Sequence, residues 1–166
     1  MAKPKTVLDS VATSLGEVTA VVLGLSAGAM LAEGAVLVPW WRSLPPGSFL
    51  QWYASNATRL FDFFGPLEIA GAGLALGASA LHLVRGRPAG AWFVASTVLA
   101  VAILSAFPIY FQEANASFAA GTIEPERVGS ELARWASWHW GRTALGILAC
   151  GAAVRGVRAT GADEGA

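Results

Sequence analysis

The apolar residues of this chain are gathered into four long blocks, and that grouping excludes most folds open to a chain of this size. The blocks run from about Gly16 to Trp41, Phe61 to Val84, Ala91 to Phe111 and Trp135 to Val154. About 20 mostly apolar residues span the ~30 Å hydrocarbon core of a bilayer as a helix, so each block is long enough to cross. Charged residues make up 13% of the 166 positions and hydrophobic ones 55%, whereas soluble domains carry about 25% charged residues. So few charges cannot cover a water-facing surface. The sequence therefore predicts an all-α fold: an antiparallel, up-and-down bundle of four transmembrane helices in contact with the lipid bilayer. It forms a single membrane domain over 1–166, with a disordered tail from 155 to 166.

The head of the chain lacks an apolar core followed by a small-residue cleavage site, so the first block reads as an uncleaved signal anchor. Arg85-Gly86-Arg87-Pro88 is a tight basic turn that sets the second and third blocks in a hairpin. One side of the bundle then carries Lys3, Lys5, Arg85, Arg87, Arg155 and Arg158. The other carries Arg42, Arg59, Arg127 and Arg134, diluted by Glu113, Glu124, Glu126 and Glu131. The excess of positive charge on short loops marks the cytoplasmic side, which puts both termini in the cytoplasm. Usage rich in Ala, Gly and Arg fits a bacterial source, hence a bacterial inner membrane. The outer side would hold two longer connections, Arg42 to Leu60 and Gln112 to Arg134, the second with a short surface helix after Pro125. Trp40, Trp41, Trp52, Tyr53, Trp135, Trp138 and Trp140 gather toward that side, as an aromatic belt at the headgroups would.

Helices in lipid associate through close approach of small residues. Gly24, Gly28 and Ala32, Gly73 and Gly77, and Gly146 with Cys150 supply such steps and point to a compact four-helix bundle; a homo-oligomer is a further expectation. The zero net charge and the absence of a basic stretch give nucleic acid no footing. The single cysteine excludes an internal disulfide. Pro108, near the end of the third block, should kink or loosen it.

Ionisable groups inside a bilayer are costly and mark either structure or function. Glu33, Glu68, His139 and Arg142 all fall within roughly 10 Å of the outer boundary at 1.5 Å rise per residue, although they lie on three different helices. From Glu68, the positions Gly71, Ala72, Ala75, Ser79 and His82 form a small and polar stripe at three- and four-residue steps. Trp135, His139, Arg142, Gly146 and Cys150 form another. Two readings stand: a buried ion pair that sets helix register, and a polar pocket that acts on a ligand. His82, near the cytoplasmic end, reads as an interfacial histidine, and Glu17 as a wetted acid. Glu33, Glu68 and His139 are also ligand types for iron, copper, manganese or zinc. No Glu-x-x-His or His-x-x-x-His spacing accompanies them, so a metal-bound and a metal-free pocket remain alternatives.

From Pro108 and Asn115 to Arg134-Trp135-Ala136-Ser137-Trp138-His139-Trp140-Gly141-Arg142, the chain resembles the anthrone oxygenase-like family of small four-helix membrane proteins, most without an assigned function. Asn115 after the third span, then Trp135, His139 and Arg142 at the head of the fourth, carry the resemblance; Glu33 and Glu68 lie outside the family pattern. The resemblance implies oxygen insertion at the activated methylene of a polycyclic aromatic. His139 or a carboxylate would remove a proton, Arg142 would stabilise the oxyanion, and Trp135 and Trp138 would stack on the flat substrate, with Asn115 and Tyr110 completing its binding site. The expected function is thus a membrane oxygenase or oxidoreductase acting on a hydrophobic aromatic or quinone-like small molecule. The rival is a non-catalytic membrane subunit or small transporter whose Glu/Arg/His cluster joins helices or passes a proton.

Overall fold

A computed structural model describes residues 6–165, so Lys3 and Lys5 of the charge argument lie outside it. Four long helices account for nearly all of it: α1 Val7–Ser43, α2 Pro46–Val84 and α3 Ala89–Ala120, and α4 Pro125–Gly165. No strand occurs among the described residues. α1, α2 and α3 are each long and apolar enough to cross a membrane. Each helix packs mainly on two others, in the ring order α1, α2, α3, α4 and back to α1, with a smaller contact between α2 and α4.

The helix ends follow from local chemistry. Thr6 caps α1 in a capping box, its hydroxyl taking the Asp9 N–H at 3.3 Å while the Asp9 carboxylate takes the Thr6 N–H at 2.8 Å. Pro46 and Pro125 open α2 and α4 at positions whose N–H groups have no intrahelical partner. The turn after α2 contains Gly86 at φ 63° and α3 ends on Gly121 at φ 63°, a left-handed conformation that glycine adopts without steric cost. Arg85–Pro88 is thus a short link between α2 and α3.

The long outer connections expected over Arg42 to Leu60 and Gln112 to Arg134 are mostly helix; only Leu44-Pro45 and Gly121–Glu124 interrupt it. These stretches are amphipathic rather than continuously apolar. Phe49 and Tyr53 on α2, Phe118 on α3, and Val128, Leu132 and Trp135 on α4 fall at helical spacing and bury together with Trp41 and Phe111. Much of the expected aromatic belt is consequently an interior aromatic core: Trp41 and Trp135 are fully buried, while Trp40, Trp138 and Trp140 are exposed. At the other end α4 continues to Gly165, so the disordered tail expected after Val154 is a helical extension through the last described residue. Thr160 is buried there, and the Gly156 face lies on Phe93.

Some of the small residues work as spacers between helices. A Cβ added at Gly24 would meet the Cys150 sulfur at 3.5 Å, and one at Gly146 would meet Met30 at 2.6 Å. Gly28 and Gly73 face open space instead. The end of the bundle at the Arg85–Pro88 turn is filled by side chains. Phe93 fills the space between Gly16 and Gly156, and its ring stacks on His82 at 4.7 Å. His82 is completely buried, not interfacial, because Phe93 and the alanines of α2 and α4 surround that level. Just outside it, Asp9 on α1 pairs with Arg85 at 2.5 Å and with Arg87, tying α1 to the α2–α3 turn.

Candidate functional site

Two helices are locally widened where the polar residues meet. α1 makes a π-helical turn over Glu33–Leu37 and α3 another over Phe107–Phe111. Pro39 and Pro108 lack the N–H that an α-helical ladder would need there, and a π turn accommodates the gap. Pro108 thus loosens its helix without breaking it.

Arg142, on α4, is the centre of the cluster. Its Nη2 donates to Glu33 Oε2 at 3.3 Å, its Nη1 to Glu68 Oε1 at 3.2 Å, and its Nε to His139 Nδ1 at 3.3 Å. The guanidinium also lies over the Phe111 ring, 4.4 Å from its centroid. Glu33, Arg142 and His139 are 6%, 8% and 0% exposed, so three helices contribute charge and hydrogen bonds to one dry centre. The four groups that sequence places at a common depth do come together.

His139 is held on both ring nitrogens. Its Nε2 lies 2.8 Å from the Met30 carbonyl oxygen, which can only accept, so that nitrogen carries the hydrogen. Nδ1 is then the acceptor for Arg142. Trp135 stacks on the imidazole at 4.9 Å, and a Cβ on Gly34 would press within 3.0 Å of it. Glycine at position 34 thus lets α1 approach His139 closely, and a larger residue there would make the imidazole shift by a few tenths of an ångström. Both ring nitrogens of His139 are therefore engaged, one by the Met30 carbonyl and the other by Arg142.

The metal triad Glu33, Glu68 and His139 does not assemble as one. The guanidinium of Arg142 occupies the position between the two carboxylates that a metal ion would need, and His139 Nδ1 faces that guanidinium. Among the described residues no group of three or more His, Cys, Asp or Glu is placed to hold a metal.

A cavity of about 480 Å³ opens beside the cluster. Glu33, Glu68 and Arg142 line it, and so do Asn115 and Trp135, joined by a 2.8 Å hydrogen bond from Trp135 Nε1 to Asn115 Oδ1. Its apolar wall is Phe61, Phe64 and Ile69 of α2 with Leu104 and Phe107 of α3. Phe61 and Ile69 are also exposed on the outer surface of the bundle, so the mouth lies between α2 and α3 on an apolar face. Tyr110 and Trp138 are not part of this cavity. They stack on each other at 5.1 Å and 7° on another face, where Tyr110 borders a second, polar hollow with Glu113 and Arg134.

Sequence reasoning missed Tyr53, Phe61 and Phe64. Backward from Glu68, Phe64, Phe61, Ala57 and Tyr53 follow at the same three- and four-residue steps as the forward stripe, and all line the cavity. Asp9 was missed as well, because its partners on the α2–α3 turn are remote in sequence. No family model, curated protein or solved structure matches the chain, so its function has to be argued from this geometry.

Proposed function

We propose that this is an integral membrane oxidoreductase, crossing the bilayer four times, that takes a hydrophobic aromatic or quinone-like molecule from the lipid into the outer cavity and oxidises it there. The observation that carries the reading is the cavity itself: an aromatic, lipid-side mouth between α2 and α3 that ends on the buried Glu33–Arg142–Glu68 cluster. Ligand pockets are mostly apolar with a few convergent polar groups, and ionisable groups inside a bilayer protein mark sites of function.

Four antiparallel crossings are supported by contacts that run in opposite order on neighbouring helices. Gly71 meets Leu23 while Gly77 meets Leu15, and Gly146 meets Met30 while Gly24 meets Cys150. α4 exposes Ile147 and Leu148, as a lipid-facing helix does, and turns Arg142 inward to its partners. Arg85, Arg87, Arg155 and Arg158 share the inner end, which supports cytoplasmic termini.

The two carboxylates outnumber the guanidinium by one, and His139 is neutral in its hydrogen-bonded form. Glu68, at the cavity edge, is therefore the proton acceptor in this reading, and Arg142 stabilises charge developing on a ligand oxygen. For an activated methylene, loss of a proton to Glu68 and attack of the carbanion on dioxygen give a hydroperoxide. Loss of water from it leaves the ketone. Dioxygen supplies one oxygen atom to the product and one to water, so no external reductant is needed. This is the chemistry implied by the resemblance to the anthrone oxygenase-like family, with a carboxylate in the role of base. The inner end, filled by Phe93, favours it over a transporter. Oxygen uptake by the purified protein with a panel of anthrones and quinols tests it: turnover should appear and Glu68→Gln should lower kcat at least about a hundredfold. No turnover on any member of the panel would defeat the enzyme reading.

A further inference from the structure

Tyr53 is 3% exposed, and its ring is wedged against Trp41, Phe49 and Phe118 at centroid distances of 5.8, 5.6 and 5.4 Å. Three ring contacts hold the phenol ring in place. The residue lines the outer cavity, and its hydroxyl makes no hydrogen bond with any described residue. The hydroxyl is not among the fully buried side-chain atoms that lack a partner, so it opens onto the cavity as an available donor.

Asn115 supplies a second donor. It stands one helical turn before Phe118, which the Tyr53 ring touches, so the two side chains reach the cavity from adjoining positions on α2 and α3. The indole N–H of Trp135 can only donate, which fixes the Asn115 amide with its oxygen toward Trp135 at 2.8 Å. The Asn115 NH2 group is then left as a donor, and no described residue accepts from it. A phenol O–H and an amide N–H that both reach this cavity can donate together to an atom with two lone pairs.

We infer that Tyr53 and Asn115 form a carbonyl-binding subsite, which donates two hydrogen bonds to a carbonyl oxygen of a flat, methyl- or alkyl-substituted ring such as a benzoquinone. The inference rests on the cavity being a ligand site. It adds which end of the ligand is recognised, and by which residues. A ring bearing a carbonyl would be held by its oxygen, with its apolar edge against Phe61 and Phe64.

The full chain, purified in detergent, is titrated with duroquinone and separately with durene, which has the same ring and methyl groups but no oxygens. Apparent affinities are read from the ligand-dependent rise in Tm. Tyr53→Phe keeps the ring packing and removes an unpartnered hydroxyl, so the unliganded Tm should hold or rise. The expected result is duroquinone binding about tenfold weaker in Tyr53→Phe, the effect of one hydrogen bond in a dry site, with durene binding unchanged. Equal duroquinone affinity in the two proteins would overturn the subsite. So would an equal loss for both ligands, which would trace to ring packing. Failure of the unsubstituted protein to bind either ligand would instead remove the cavity reading, and the subsite with it.

Discussion

Replacing Arg142 by glutamine keeps a polar side chain but ends it where the guanidinium begins, and so removes the cation between Glu33 and Glu68. The side chains of the three residues are 8%, 4% and 8% exposed respectively, so solvent screens the loss very little. Breaking a buried ion pair by removing one partner costs about 3–5 kcal/mol. The adjoining cavity gives the freed carboxylates some room to hydrate, which favours the lower end, about 3 kcal/mol, or roughly a hundredfold in the folding equilibrium. Reversible unfolding in mixed micelles measures it. The diagnostic comparison is the triple variant Arg142→Gln, Glu33→Gln, Glu68→Gln, in which no charge is left unpaired. It should recover all but about 1 kcal/mol, a strongly non-additive result. A loss below about 1 kcal/mol in Arg142→Gln, or a triple variant no more stable than the single, would refute the assignment of these groups as one coupled cluster.

Other outcomes follow from the same contacts. Gly156→Val places its side chain against Phe93, whose ring lies 2.8 Å from an added Cβ; it should cost about 1–3 kcal/mol, partly recovered by Phe93→Leu, as unfolding of the two variants would show. His139→Gln retains a donor toward Met30 and should lower kcat less than about tenfold, whereas the same change at Glu68 lowers it at least about a hundredfold; steady-state kinetics of the pair separates a positioning residue from the proton acceptor. Asp9→Asn removes the countercharge shared by Arg85 and Arg87, so hydrogen exchange should speed up in the α2–α3 turn and the first turn of α1 while the outer aromatic core keeps its protection.

Helical class and the common depth of Glu33, Glu68, His139 and Arg142 were legible because each rests on a one-dimensional property, hydropathy in blocks or distance along a helix. The ends of the helices were not, because 46–60 and 112–134 bury only alternate faces and lose the continuous apolar signal; their helicity depends on partners such as Trp41 and Phe118 from elsewhere in the chain. Direction around a helix was the other gap. Trp138 and Tyr110 share the outer level with Trp135 and Asn115 but point to a different face, and π turns at Glu33 and Phe107 shift the phase that a regular 3.6-residue count assumes. The role given to His139 depended on its two hydrogen bonds, one of them to a backbone carbonyl more than a hundred residues away, for which sequence carries no sign.

The most direct test of ligand entry from the bilayer is photolabelling in lipid vesicles with an azido-substituted duroquinone, followed by peptide mapping. Label should concentrate on the Tyr53–Ile69 segment of α2 and the Leu104–Ala119 segment of α3, and unlabelled duroquinone should compete it away. Label spread evenly over lipid-facing positions such as Val21, Leu25, Ile147 and Leu148, with no competition, would contradict a ligand site between α2 and α3.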